Sequence, residues 1–248
     1  MSYRRRVHPI TAIVLIGGLL AGCAYATSPG PGRAEAPPPA TAEPSPAVVA
    51  AEPSVGIAAT ATSTSVTVHE QPGGAVATTL DNPQAAGAPL TFLVVESGAA
   101  WLRVYLPQRP NGSTGWVSAA EVTLTRLQYR IVVSTKQNTL SLYRGSTLLA
   151  TYSVATGTGG TPTPLGDFYL TELIAPTNTG YGPYAFGLSA YSEVLTSFGA
   201  GPGQIGLHGT DDAASIGTAA SHGCIRMSNE DIATLAGLLP LGTPITIE

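Results

Sequence analysis

The side chains best suited to chemistry gather in residues 205–228, IGLHGTDDAASIGTAASHGCIRMS, which hold His208, His222 and the thiol of Cys224. A free thiol titrates near about 8.5, so only a few per cent is thiolate at neutral pH. A cysteine nucleophile therefore needs a base or a cationic neighbour. His208, sixteen residues upstream, and His222, two residues upstream, are the candidates close in sequence. The segment after His208 is rich in Ala, Gly, Ser and Thr and can turn back so that His208 faces Cys224. His222 would share a strand face with Cys224, but Gly223 between them permits other geometries. Lacking a Cβ, Gly223 also lets nearby amide groups turn toward a developing oxyanion.

Other chemistries are open to the same residues. His208, Asp211, Asp212, His222 and Cys224 are all zinc-ligand types, but HGTDD and SHGC match no familiar zinc spacing, and the reading is no metal and no cofactor. A papain-like peptidase places its cysteine before its histidine, whereas here His208 comes first. Formal net charge is −4 and charged residues make up 10% of the chain, so there is no basic face for a nucleic acid.

Cys224 is notable for being alone. The chain has two cysteines, and the other, Cys23, has a different expected fate. Arg4, Arg5 and Arg6 precede an apolar run, Ile10 to Leu20, too short to span a bilayer. The run ends in LAGC, Leu20 to Cys23, which resembles the lipobox of bacterial lipoproteins. That resemblance implies a signal peptide over 1–22 and lipidation of Cys23. The chain would then be extracytoplasmic and anchored to the membrane of a bacterial cell envelope. An unpaired cysteine in an oxidising compartment points to a reactive thiol or an intermolecular bond.

The elements that must position these residues are mostly strands. Residues 23–60 carry eight prolines among Ala, Ser, Thr and Glu and read as an extended tether. Residues 61–124 hold short alternating runs, SVTVHE, PLTFLVVE, AWLRVYLP and TGWVSAAEVTL, separated by Gly, Pro and Asn turn signals. This spacing predicts a small barrel, and the GWV turn pattern resembles bacterial SH3-like domains. Residues 127–248 hold further strands in YRIVVST, TLSLYRG, TLLATYSVATG, GDFYLTE and PITIE, broken by the Gly/Pro loop GTGGTPTPLG at 157–166. One helix is expected after Ser228, a good N-cap, with Ile232, Leu235 and Leu239 on its apolar face and Pro240 and Gly242 at its end. The fold class is mainly β with one clear helix.

Two motifs in this second unit carry a resemblance. HGT at 208–210 followed by SHGCIRM at 221–227 resembles the signature of the L,D-transpeptidase catalytic domain, the YkuD domain. TPLGDF at 163–168 fits that family's upstream pattern. The resemblance covers about 127–248 and implies a β-sandwich with the cysteine in a groove. It implies Cys224 as nucleophile, His208 as base and the Gly209 carbonyl as its orienting partner. His222 and Gly223 would shape the thiol's surroundings, and the amides of 222–224 are oxyanion-hole candidates. Ser221, Arg226, Tyr184 and Phe186 are candidate substrate-binding residues, Arg226 for a substrate carboxylate and Tyr184 and Phe186 as a lid. The implied reaction forms 3-3 cross-links between peptidoglycan stem peptides, expelling D-alanine from a tetrapeptide, and carbapenems would acylate the same sulfur. The alternatives are an L,D-carboxypeptidase acting on the same bond and a non-catalytic wall-binding lipoprotein.

Overall fold

A computed structural model describes residues 54–198 and 201–248. The expected signal segment, Cys23 and the tether up to residue 53 lie outside the described residues. The architecture is mainly β with one α-helix among the described residues, as alternation and the Ser228 cap predict. Two large sheets carry nearly all of it, and both belong to the single compact unit Val49–Glu248.

The first sheet contains β1 (Gly56–Ala61), β2 (Ser65–His69), β3 (Val76–Asp81), β4 (Thr91–Ser97), β5 (Trp101–Tyr105), β6 (Thr114–Ser118) and β7 (Val122–Leu127). All its pairings are antiparallel, in the order β3-β2-β6-β5-β4-β1-β7. In β5, Leu102 and Val104 are buried while Arg103 between them is exposed, the period of two that the sequence displays. Phe92, Val66, Val68, Val104 and Val117 fill this sheet's own core. One boundary differs from expectation. β1 begins at Gly56, inside the segment that composition assigns to the tether. Its sequence, GIAATA, is small and apolar and shows no alternation, so only its pairing with β4 and β7 makes it a strand.

The second sheet runs β10 (Thr147–Ser153), β9 (Thr139–Arg144), β8 (Tyr129–Ser134), β17 (Pro244–Ile247), β12 (Gly166–Ile174), β13 (Ala185–Tyr191), β14 (Gln204–His208) and β16 (Ile225–Arg226). A two-strand piece, β11 (Thr156–Gly157) with β15 (Ala219–Ser221), lies beside it. Helix α1 (Asn229–Leu238) starts where Ser228 Oγ accepts from the Asp231 amide at 3.1 Å and donates to Asp231 Oδ2 at 2.6 Å. Such a cap contributes about 1 kcal/mol. Ile232 and Leu235 are fully buried against a core that includes Phe168, Leu170, Phe186, Leu207 and Ile225.

The two sheets touch through specific groups. Tyr169 of β12 is fully buried beside Ala58, Leu93 and Leu127, and its hydroxyl donates to the Tyr105 carbonyl at 3.2 Å. Between β5 and β6, Arg109 donates to the carbonyls of Pro202 (2.7 Å), Ser192 (2.8 Å) and Leu195 (3.2 Å). Asn111 exchanges two hydrogen bonds with the Tyr191 backbone. The first sheet thereby fixes the segment that follows β13.

Candidate active site

Register alone brings His208 and Cys224 together. β14 and β16 are parallel, with Leu207 opposite Ile225 and His208 opposite Arg226. Successive side chains on a strand point to opposite faces. Leu207 and Ile225, both fully buried, therefore enter the core, while Gly206, His208, Cys224 and Arg226 share the other face. A Cβ at Gly206 would meet His208 Cδ2 at 3.6 Å and Cys224 Sγ at 3.9 Å, so imidazole and thiol stand over the same glycine. The Gly206 amide donates to Sγ at 3.4 Å, a contact that favours the thiolate.

His208 is 3% exposed, and its Nδ1 lies 2.6 Å from the Gly209 carbonyl. A carbonyl can only accept, so Nδ1 carries the proton. Nε2, bonded to Cδ2 on the thiol's side, is left as the basic position. Tyr181 covers the ring, with centroids 4.5 Å apart. Gly209 itself must be glycine, because a Cβ would run into Asn229 Oδ1, which is held by the Thr210 amide at 3.0 Å. Burial lowers the His208 pKa to about 4, outweighing the opposing effect of the Gly209 hydrogen bond, and Arg226 lowers it further. Burial raises the Cys224 thiol, against smaller lowering effects of the Gly206 amide and Arg226. Both shifts favour the uncharged forms, a thiol beside a neutral imidazole.

The loop around the thiol is held by the Gly/Pro segment upstream. Thr163 Oγ1 donates to the Gly223 carbonyl at 2.8 Å and accepts from the Gly157 amide at 2.8 Å. The Thr158 amide donates to the Ser221 carbonyl at 3.0 Å. Gly223 has φ +120, which side chains rarely tolerate, and this turns the chain so that Cys224 and His222 diverge. The Gly223 amide donates to Ser221 Oγ at 3.0 Å, so it is not free for an oxyanion. The Cys224 amide has no acceptor among the described residues and remains an available donor beside the thiol.

Two grooves flank Cys224 and His208, and both are also lined by Tyr181 and Phe198. One, about 630 Å³, extends over Ala185, Gly187 and Gly206 to Glu172 and Ile174. The other, about 690 Å³, is walled by Thr210, Asp211, Asp212, His222 and Arg226. Among the described residues no three His, Cys, Asp or Glu side chains converge to hold a metal ion.

The comparisons with known proteins agree with this geometry in naming a family. A family model described as the L,D-transpeptidase catalytic domain, YkuD, matches residues 128–247. A Bacillus licheniformis protein with the provisional name L,D-transpeptidase YkuD is 34% identical over 57% of this chain and 83% of its own length. The chain belongs to the YkuD family of L,D-transpeptidase catalytic domains. A Bacillus subtilis protein of the same provisional name is 37% identical over 49% of this chain and 66% of its own length. Among solved structures, protein Bd1075 of Bdellovibrio bacteriovorus matches with 26% identity and a TM-score of 0.40. That match covers 49% of this chain and about half of the other, 48%.

Within the YkuD domain, several candidate residues take places that sequence did not foresee. Phe186 pairs with Leu207 and Leu173 on the core side of β13 and is fully buried. It packs the sheet and is not part of a lid. Tyr184 precedes β13, is 37% exposed and lines neither groove; its carbonyl accepts from the Gly209 amide at 3.3 Å. Ser221 is 1% exposed, and its hydroxyl is spent within the loop, donating to the Cys224 carbonyl at 2.5 Å, so it offers nothing to a substrate. His222 is exposed, with its ring 5.4 Å from that of Phe198. Tyr181, Phe198, Thr163, Gly206 and Asn229 were not foreseen as parts of this site. Gly206 lies within the 205–228 stretch, Thr163 within TPLGDF and Tyr181 three residues before Tyr184, but none of the three carries a local signal of its role.

Proposed function

We propose that this chain is a peptidoglycan L,D-transpeptidase that forms 3-3 cross-links through an acyl-enzyme on Cys224. The observation that carries the reading is the His208–Cys224 pair over Gly206, with Nδ1 tied to the Gly209 carbonyl and Nε2 left basic. In the first half-reaction, Nε2 takes the thiol proton as Sγ attacks the carbonyl carbon of the third residue of a tetrapeptide stem. The Cys224 amide stabilises the oxyanion. The C–N bond breaks, and D-alanine leaves with the proton returned by His208. A thioester remains. In the second half, a side-chain amine of another stem attacks the thioester and passes its proton to Nε2. The C–S bond breaks, and the proton returns to Sγ.

Two grooves meeting at one thiol favour transfer over hydrolysis, because donor and acceptor each need a place. Arg226 has no ion-pair partner among the described residues and faces the second groove, where the carboxylate of the departing D-alanine would sit. The acceptor stem then enters the groove that D-alanine vacates. Incubation with a tetrapeptide stem alone, followed by mass spectrometry, tests this reading. Cross-linked dimer and free D-alanine are the expected products. Tripeptide without dimer, even at high stem concentration, would make the protein an L,D-carboxypeptidase instead.

Carbapenems are strained acyl donors, and the same thiol is their expected target. The antiparallel unit 54–127 is proposed as an SH3-like scaffold, supported by its grip on the segment after β13 through Arg109 and Asn111. Lipid anchoring at the outer face of the cell-envelope membrane rests on LAGC alone. Mass spectrometry of the mature protein from a bacterial host is expected to find an acylated Cys23 at the N-terminus, lost in Cys23→Ser. An unmodified Cys23 would end that proposal.

A further inference from the structure

A row of residues crosses the second sheet away from the thiol. Glu172 of β12 pairs with Gly187 of β13, and Gly187 pairs with Gly206 of β14, which carries Cys224 Sγ above it. Paired residues point to the same face of a sheet. Glu172, Gly187, Gly206 and Cys224 therefore share the floor of one groove, and its two central positions have no side chain. The Glu172 carboxylate leans back along this trough, its Oε1 2.6 Å from where a Gly187 Cβ would stand. Neighbouring paired positions lie about 5 Å apart, so Oε1 is at most about 12 Å from Sγ. Tyr181, Phe198 and Ile174 give the trough apolar walls. Glu172 has no salt bridge or hydrogen bond among the described residues, and burial alone raises its carboxyl pKa. Arg226, the cation nearest the thiol, lines the opposite groove. Glu172 is half-buried, and a half-buried carboxylate without a protein partner gains when a cation joins it.

We propose that Glu172 is a specificity residue that binds the side-chain ammonium of the donor residue acylating Cys224, with the methylenes of that side chain lying over Gly187 and Gly206. An ammonium at the end of a four-carbon side chain lies roughly 7 Å from its own carbonyl carbon. That reach suits the span between the thioester and Glu172. The proposal rests on the acyl-transfer reading of the site and adds to it the residue that reads the donor's third side chain. It also orients the donor, with its side chain toward Glu172 and its departing carboxylate toward Arg226.

The probes are a tetrapeptide with lysine at position three and the same peptide with Nε-acetyllysine there. Binding is measured by calorimetry on Cys224→Ala protein and on Cys224→Ala/Glu172→Gln protein, so the readout is independent of turnover. Loss of a charged hydrogen bond is worth about tenfold to a hundredfold in affinity. The lysine peptide is expected to lose that much on the double variant. The acetylated peptide is expected to bind both proteins alike, which also reports that the double variant is folded. Equal affinity of both proteins for the lysine peptide, or an equal loss for both peptides, would overturn the role of Glu172. Acylation of wild-type protein, followed in parallel, reads the transfer chemistry separately: its absence beside a Glu172-dependent preference refutes transfer and leaves the subsite standing.

Discussion

Cys224→Ala protein is expected to release no D-alanine and to form no acyl adduct with a stem peptide or a carbapenem. Activity should fall by at least about 10⁴-fold, because the substitution removes the only atom that bonds to substrate. The fold should survive. Cys224 is only half-buried, and Sγ accepts one weak contact, from the Gly206 amide. The loop around it is held by Thr163, Ser221 and Thr158, none of which uses the sulfur. A stability change within about 1 kcal/mol is expected, a shift of a few degrees in melting temperature for a chain of this size. A variant that lost activity by unfolding would show a collapsed melting curve, and one that kept turnover would remove Cys224 from the chemistry.

His208→Ala should lose nearly as much activity, since nucleophile and base act as one unit and their losses do not add. Its pH dependence separates it from a merely structural change. In the wild type, the His208 pKa is lowered to about 4, so the basic form persists far below neutrality. The acid limb of kcat/KM should then have an apparent pKa near 4, a value that belongs to the coupled His208–Cys224 pair. The variant has only solvent hydroxide to deprotonate a thiol whose pKa burial has raised. Its residual acylation should climb with pH through the alkaline range where the wild type is flat. Stability carries the same signature. The folded state resists protonating His208 between pH 6.5 and about 4 while the unfolded chain accepts the proton, so this contribution is complete above pH 6.5 and lost as pH falls. The loss is on the order of 3 kcal/mol, and His208→Ala should lack it. An alkaline rise shared by both proteins, or an unchanged acid limb, would argue against His208 as the base.

Much of this architecture is legible in the sequence. Alternating burial in β5 and the Ser228 cap of α1 are local facts, and local facts show in local sequence. β1 was not legible, because GIAATA has neither alternation nor bulk and is a strand only through its neighbours. The motifs single out His208 and Cys224. That both stand over Gly206 depends on the β14–β16 register, which a sequence without its pairing partners does not contain. The same gap hid the side of β13. Phe186 and Gly187 are adjacent in GYGPYAFGLSAY, and pairing with β12 and β14 sends the aromatic ring into the core and the glycine to the groove floor. Glu172 stayed silent for that reason as well. It reads as the end of an ordinary strand, GDFYLTE, until Gly187 and Gly206 line up beside it. Ser221, three residues from Cys224, is a natural substrate contact by sequence. In three dimensions its hydroxyl closes the loop onto the Cys224 carbonyl.

Whether the acyl group travels on Cys224 is decided by trapping the intermediate. Wild-type protein mixed with a tetrapeptide stem is quenched in acid within a single turnover, before the acyl group is passed on, digested and mapped by mass spectrometry. A tripeptidyl thioester on the fragment containing Cys224, labile to hydroxylamine, is expected, with D-alanine released in equal amount. Release of D-alanine with the acyl group on another residue, or steady turnover with Cys224 never acylated, would contradict it.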